Sequence, residues 1–250
     1  MRVYLDNNIF VSIEDKEISL DVFKNNDKNY SYVYSYAHIQ ELMEAQKDFD
    51  ELKRKRLKTI LDLTNNTYIY PDNDQISSKT ENPEKVILTL KMFSGLMDMT
   101  RKAVNNYNID RARLMSLLGI DEKRINNYTP TEVIEYIDKA ISKRLLIGFN
   151  NLIDLSGISL RERISTLFNL LDFVGFWKDK KTERSNLARM YDSSHTYFSS
   201  CCDLFVSNDH RARNKAKVAY VFYKIDTKVL SLEEFLKYEI KPAHNTRYSQ

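Results

Sequence analysis

The chain has 250 residues, of which 42% are hydrophobic and 12% aromatic, and its 38 basic and 35 acidic side chains leave a formal net charge of +3. A chain of this length and composition can bury a large hydrophobic core, so it is expected to be globular. The charge is too balanced to establish a nucleic-acid partner by itself. No stretch approaches the roughly 18 uninterrupted apolar residues of a membrane span, and acids within the first 20 residues disfavour a signal peptide. We therefore expect a cytoplasmic protein with no membrane partner.

Glycine and cysteine usage narrows the range of chemistries. The five glycines form neither a GxGxxG nor a GxxxxGK[ST] loop, which disfavours a dinucleotide-binding dehydrogenase or a P-loop enzyme. Cys201 and Cys202 are adjacent, so they offer neither a disulfide framework nor the CxxC spacing of a metal site. Both cysteines are predicted to be buried apolar residues.

Strand-like runs rich in aromatic and β-branched residues occur at both ends of the chain. In chain order the predicted strands are Arg2–Leu5, Tyr30–Ser35, Thr67–Tyr70, Asp203–Ser207 and Val218–Ile225. A helix is predicted from Tyr36 to about Asn65, where apolar residues recur at helical spacing beside a solvated charged face. The alternation of strand and helix predicts an α/β fold with a mainly parallel sheet of about five strands.

The middle of the chain, residues 81–185, has helical periodicity without a convincing strand. Within it Thr129, Pro130 and Glu132 form the start signal of a helix, with the threonine as N-cap and the glutamate closing a capping box. We interpret this region as a helical insertion between two parts of one core, residues 1–80 and 186–241. The polar tail, residues 242–250, is predicted to be disordered.

Acidic residues follow predicted strands at several places. Asp6 and Asp209 each end an apolar strand, and Glu41 falls in the first turns of the helix after the second strand. Such acids also suit turns and helix starts, so each alone has a purely structural explanation. In open α/β sheets, however, the carboxyl edge of the strands is where ligand sites form.

Three stretches of the sequence together resemble the motifs of PIN-domain nucleases. They are "YLDNNIF" at the amino end, "YSYAHIQELME" after the second strand, and the later block "HTYFSSCCDLFVSNDHRARNKA" with the aspartate just before it. The resemblance covers roughly residues 1–70 and 186–235. It implies a three-layer α/β/α sandwich and metal-dependent cleavage of phosphodiester bonds, mostly in RNA. Carried over by position, the four acids are Asp6, Glu41, Asp192 and Asp209, and the accessory polar residues are Asn8 and Ser207.

The sequence departs from the family pattern in three respects. Asn7 and Ser207 stand where the family usually has threonine, and about one hundred residues separate the third strand from the last acidic block. Compact PIN toxins lack such an insertion, which weakens the toxin interpretation and leaves the substrate open. The sequence does not distinguish a toxin–antitoxin role, antiviral defence and RNA processing. The insertion would serve for substrate choice or for docking a protein partner or inhibitor. Its acids, Asp98, Asp138 and Asp154, are not expected to bind a metal.

Four carboxylates in one place would repel each other unless a cation neutralised them. Oxygen ligands favour a hard ion, so the implied cofactor is Mg²⁺ or Mn²⁺, as one or two ions. We expect Asp6 and Asp209 to bind it directly, with Glu41 and Asp192 holding a second ion or positioning ligand waters. His195 lies three residues after Asp192 on the same helical face, where it would assist the chemistry or only pack beside it.

Basic residues follow the last acid closely. Arg211, Arg213 and Lys215 are candidates for binding the RNA substrate, with tRNA among the possible forms, although a solvated surface explains them nearly as well. His210, beside the last acid, is a weaker candidate. The rival hypothesis is a PIN-like domain that has lost catalysis and binds RNA or protein as a scaffold. A generic phosphatase or esterase is a further alternative, and an esterase is disfavoured because no GxSxG elbow occurs.

Overall fold

The computed structural model describes residues 1–24, 30–44, 49–73, 75–92, 111–145, 148, 159–179 and 182–238. The strands in these ranges are β1 (Arg2–Leu5), β2 (Ser31–Ser35), β3 (Thr67–Asp72), β4 (Gln75–Thr80), β5 (Leu204–Val206) and β6 (Lys228–Leu230). The helices are α1 (Asn7–Glu14), α2 (Asp21–Lys24), α3 (Tyr36–Glu44), α4 (Phe49–Thr64), α5 (Pro83–Met92), α6 (Arg111–Leu118), α7 (Glu122–Ile125), α8 (Pro130–Leu145), α9 (Leu160–Val174), α10 (Glu183–Ser199), α11 (His210–Tyr223) and α12 (Leu232–Leu236). The polar tail and two of the insertion acids, Asp98 and Asp154, lie outside the described residues.

The strands form one six-stranded sheet in the order β4-β3-β2-β1-β5-β6. Every neighbouring pair is parallel except β3 and β4, which form an antiparallel hairpin at one edge. β1 is central, with Val3 paired to Tyr32 of β2 on one side and to Leu204 of β5 on the other. The predicted α/β class and the mainly parallel sheet are confirmed, with one strand more than expected.

Four of the five predicted strands are present, but the prediction of a strand over Val218–Ile225 is wrong. These residues continue helix α11, whose side chains Val218, Ala219 and Tyr220 are buried against the core. The β-branched and aromatic composition suggested a strand, but packing of a helical face overrides that weak preference. β4 and β6 were not predicted from the sequence.

The helix predicted from Tyr36 to about Asn65 is described as two helices, α3 and α4. Ile39, Leu42 and Ile60 are buried as the apolar spacing predicts, while Leu61 is 47% exposed. α3 starts at the carboxyl end of β2, and α4 leads back to the start of β3. The connection therefore returns the chain to the amino edge of the sheet, as parallel strands require.

Two hydrophobic clusters cover the two faces of the sheet. Because side chains alternate along a strand, Tyr4 points into one cluster while its neighbours Val3 and Leu5 point into the other. The first cluster includes buried residues of α8, α9, α10 and α11, and the second includes residues of α1, α4, α5 and α12. This arrangement is compatible with a three-layer sandwich.

The described residues of the predicted insertion form helices and irregular connections, with no strand among them. The predicted capping box of α8 is present: the Glu132 carboxylate accepts hydrogen bonds from the Thr129 backbone N–H at 2.7 Å and hydroxyl at 2.8 Å. Ile137 of α8 and Phe168 of α9 are fully buried in the same cluster as Tyr4 of the central strand. These helices therefore form part of the covering of the sheet.

Two smaller predictions concern the cysteines and membranes. Cys202 is buried as expected, whereas Cys201 is partly exposed, and their sulfur atoms lie 4.0 Å apart. In the described part of the chain, no helix is long and apolar enough to cross a membrane.

Candidate metal and nucleic-acid site

The carboxyl ends of β1, β2 and β5 meet at one edge of the sheet because these strands are parallel. From β1 the chain moves to β2 on one side, whereas β5 and β6 lie on the other, so the connections diverge at β1. A crevice at such a switch point is the usual place for a ligand in an open α/β sheet. Asp6 follows β1 directly, Ser207 and Asp209 follow β5, and Glu41 lies in the second turn after β2.

Asp6 is buried at the centre of this edge, with only 4% of its surface exposed. It caps α1 by accepting a hydrogen bond from the Asn7 N–H at 2.8 Å. Its other oxygen accepts from the Ser207 hydroxyl at 2.5 Å and from the Asn8 amide at 2.6 Å. Burial raises the pKa of Asp6, the charge of Glu41 raises it further, and His195 opposes the shift. The structure thus brings both predicted accessory residues onto one acid.

Asp209 is joined to Asp6 through Ser207. The Ser207 hydroxyl that donates to Asp6 also accepts the Asp209 backbone N–H at 3.1 Å. One oxygen of Asp209 caps helix α11 by accepting from the N–H groups of Arg211 at 2.7 Å and Ala212 at 3.0 Å. The cap fixes the carboxylate at the helix N-terminus, where the backbone dipoles stabilise its negative charge.

His195 reaches the acids from helix α10 and is only 1% exposed. Its Nε2 lies 3.2 Å from Glu41 Oε1 and 3.8 Å from Asp6 Oδ1, while its Nδ1 is 2.8 Å from the Tyr4 hydroxyl. Burial alone would lower the pKa of His195, but the hydrogen bond with Glu41 and the nearby negative charges raise it above the ordinary value. His195 is therefore held between two acids as a proton donor.

His38 provides a contrast, because it is buried nearby without contacting an acid. Its Nδ1 accepts the Ser35 N–H at 3.1 Å, so its Nε2 carries the proton and donates to the Leu5 carbonyl at 2.8 Å. Burial lowers the pKa of His38 well below its usual range. This histidine is neutral and ties β1 to the start of α3.

Asp192 lies one turn before His195 on α10 and completes the group of acids. The pKa of Asp192 is raised well above the ordinary value, chiefly by burial and then by repulsion from Asp6, Asp209 and Glu41. The charge of Lys215 lowers this pKa. The four acids assigned by the sequence resemblance therefore act on one another electrostatically. The acids span residues 6 to 209 of the chain, and the pairing of β1 with β2 and β5 brings them together in space.

The acids do not form a ready-made metal cage. In the described ranges, no three or more His, Cys, Asp and Glu side chains are arranged as a metal-binding group. Glu41 is occupied by hydrogen bonds from Asn7 and His195, and one oxygen of Asp209 is occupied by its helix cap. The donor chemistry nonetheless fits a hard divalent cation, because neighbouring carboxylates that repel one another are stabilised by a positive ion.

No protein-family model, curated protein or solved structure matches the chain significantly. Function must therefore be inferred from the chemistry of the site.

The three basic residues predicted to bind RNA have different environments. The Arg211 side chain is 48% exposed, and its Nη1 lies 3.5 Å from Asp179 Oδ1. Arg213 is partly buried and donates to the Ser207 carbonyl at 2.7 Å, which holds the end of β5. Lys215 is fully buried and pairs with Asp179 at 2.9 Å and Asp172 at 3.3 Å. Its burial argues against the predicted contact with RNA, and of the three only Arg211 is well placed for it.

His210 and Asp138 occupy positions apart from the acids. His210 stacks edge-on against Trp177, with ring centroids 4.4 Å apart, and contacts Asn214 within its own helix. Asp138 accepts from Ser142 on α8.

The buried Lys215 gives a stability prediction. Lys215→Met should lower the free energy of unfolding by about 2 kcal/mol, because Asp172 and Asp179 lose the cation between them but keep Arg189 and Arg211 as partners. Urea unfolding measures the change. Lys58→Met, which alters an exposed lysine of α4, is the control and should change stability by less than about 0.5 kcal/mol. Equal effects of the two substitutions would contradict the structural role of Lys215.

Sequence reasoning missed Arg56, which contacts the site through Asn7. Arg56 is 2% exposed on α4 and donates to Asn7 Oδ1, while Asn7 in turn donates to Glu41. A signal was available, because Arg56 falls on the helical stripe of the buried residues Ile60 and Leu63. A charge within an apolar stripe needs a buried partner.

Proposed function

We propose that the protein is a PIN-like, metal-dependent endoribonuclease. The observation that carries the proposal is the convergence of Asp6, Glu41, Asp192 and Asp209 at the carboxyl edge of three parallel strands. Ser207 links Asp6 to Asp209, His195 lies between Asp6 and Glu41, and the charges of these three acids raise the pKa of Asp192. The same four positions match the acidic motifs of the family that the sequence resembles. The six-stranded sheet with a hydrophobic cluster on each face is compatible with the sandwich of that family.

Asp6 and Asp209 are the acids that would bind Mg²⁺ or Mn²⁺ directly, and Glu41 and Asp192 would hold a second ion or position its waters. The bound ion would activate a water for attack on phosphorus and offset the charge that develops on the phosphate oxygens. Ser207 and Asn8 hold the negatively charged Asp6 carboxylate in place by donating hydrogen bonds to it. Arg211, at the start of α11, would bind a phosphate of the substrate from the exposed side.

His195 has the contacts of a residue that holds a proton beside the reacting group. Its raised pKa and its position between Glu41 and Asp6 favour the protonated ring at mildly acidic pH. The Tyr4 hydroxyl on Nδ1 fixes the orientation of the ring. His195 is therefore proposed to stabilise the leaving oxygen or to steady the acids during cleavage.

The purified protein should cleave labelled single-stranded RNA or tRNA when Mn²⁺ or Mg²⁺ is present. Addition of EDTA should reduce the rate by about a hundredfold or more, because the acids alone supply no cation. Single-stranded DNA in parallel assays tests the preference for RNA. Binding of RNA without cleavage at any metal concentration would favour the scaffold alternative and contradict the proposed activity.

A further inference from the structure

A buried ion pair lies beneath the acid cluster, between helices α1 and α4. The guanidinium of Arg56 binds the carboxylate of Glu14 through two nitrogens, with Nη2 3.1 Å from Oε2, and each side chain is only 3% exposed. Removing both charges from water costs free energy that a single ion pair rarely exceeds. Such a pair is therefore a poor source of stability, and its place in the fold calls for a different explanation.

The remaining side of Arg56 faces the site. Its Nη1 donates to the side-chain oxygen of Asn7, and the Asn7 amide nitrogen donates to Glu41 Oε2. A guanidinium has donors only, so Asn7 must turn its oxygen toward Arg56 and its NH₂ group toward Glu41. Arg56 and Glu41 thus fix the orientation of the Asn7 amide from its two sides.

Both oxygens of Glu41 are consequently placed. Oε2 accepts from Asn7 while Oε1 lies 3.2 Å from His195 Nε2. Without Arg56, the buried Asn7 oxygen would lose its donor, and the side chain would be held from the Glu41 side alone. The contact between Asn7 and Glu41 would then be weaker and less well fixed even though neither residue had been changed.

We propose that Arg56, held by Glu14, is a positioning residue that fixes Glu41 through Asn7. The inference rests on the proposed function in assigning Glu41 to the metal site. It also explains why asparagine stands at position 7, where the family that the sequence resembles usually has threonine: the amide reaches both Arg56 and Glu41, whereas a single hydroxyl is shorter and carries one proton.

The test replaces the ion pair as a unit in the double variant Glu14→Met/Arg56→Met. Because buried ion pairs exchanged for apolar residues of similar size often keep stability, this variant should fold with little change in unfolding temperature. Arg54→Met is the matched control, since Arg54 is an exposed arginine on the same helix. Wild type, control and double variant are then compared in two measurements.

The first measurement is hydrogen exchange of the Asn7 side-chain amide, followed by NMR on the metal-free protein and assigned with an Asn7→Ser sample. Exchange should be about tenfold or more faster in the double variant and unchanged in Arg54→Met. The second is the Mn²⁺ concentration that half-saturates the protein, which should rise about tenfold in the double variant, the usual scale for losing a partner of a metal ligand.

Unchanged amide exchange or an unchanged Mn²⁺ midpoint in the folded double variant would overturn the proposal. If the double variant fails to fold, Arg56→Lys takes its place, because lysine keeps the charge beside Glu14 but lacks the planar fork that reaches Asn7 as well. Faster amide exchange is again the expected result. A wild type that neither binds Mn²⁺ nor cleaves RNA would refute the proposed function, while the amide exchange still decides whether Arg56 orients Asn7.

Discussion

Asp6→Asn should reduce RNA cleavage on the order of a thousandfold, the largest effect expected of any single substitution in the site. Asp6 is central among the acids, and an amide supplies no negative charge to a divalent ion. The shape of the site should largely survive, because an asparagine oxygen can still accept the Asn7 N–H, although the second oxygen that accepts from Ser207 and Asn8 is lost. Initial rates with Mn²⁺ measure the loss.

The same substitution should stabilise the metal-free protein. Burial and Glu41 raise the pKa of Asp6 above the ordinary 3.8. An acid whose pKa is raised by folding contributes stability below pH 3.8, and that contribution is lost as the pH rises through the raised value. At neutral pH the carboxylate therefore opposes folding, and the asparagine does not. Thermal unfolding in EDTA should show a higher midpoint for Asp6→Asn at pH 7, with the difference shrinking toward pH 4.

Asp203→Asn is the matched control for both effects, because Asp203 lies exposed at the opposite edge of the sheet. It should change neither cleavage nor the pH dependence of unfolding appreciably. A folded Asp6→Asn protein that cleaves RNA as fast as wild type would show that the proposed metal centre is wrong.

Asp192→Ala should lower kcat/KM by about a hundredfold or more, whereas Asp203→Ala should lower it less than about twofold. Asp192 faces Asp6, Asp209 and Glu41, whose charges raise its pKa. Asp203 precedes β5 at the amino edge, where its carboxylate accepts the Arg2 N–H at 2.6 Å. The two aspartates are eleven residues apart. Asp192 lies on α10, and the rest of that helix leads away from the site to the turn that contains Asp203.

Kinetics on the two purified variants, each checked for folding by circular dichroism, decide this ranking. A larger loss for Asp203→Ala would mean that the acid facing the substrate has been assigned to the wrong end of β5. A small loss in both variants would limit the functional acids to Asp6, Glu41 and Asp209.

The positions of the acids could be predicted because strand ends are local features of a sequence. Asp6 and Asp209 each follow a short apolar run, and parallel pairing then brings such ends to one edge. The environment of Lys215 could not be predicted in this way. Its partners, Asp172 and Asp179, lie 43 and 36 residues away, and no local pattern distinguishes a lysine that will be buried from one on the surface.

The strand predicted over Val218–Ile225 failed for a related reason. The Asp209 cap sets the start of α11. The apolar run that follows in the sequence therefore continues this helix and does not form a strand. β4 was missed because its side chains are mostly exposed and polar, which leaves no alternation of apolar residues to detect. Arg56 was visible only as a charge within an apolar stripe, and its route to Glu41 needs the fold.

The central position of β1 has a consequence for synthesis of the protein. Of the described strands β1 comes earliest in the chain, yet one of its two neighbours, β5, begins only at Leu204. Pairing across some two hundred residues must await nearly the whole described chain, and contacts so distant in sequence slow folding. A nascent chain still short of Val206 lacks the Val206 carbonyl and the Ser207 hydroxyl that contact Asp6, and it also lacks Asp209. The activity proposed for the four acids would therefore appear only after the growing chain had passed Asp209.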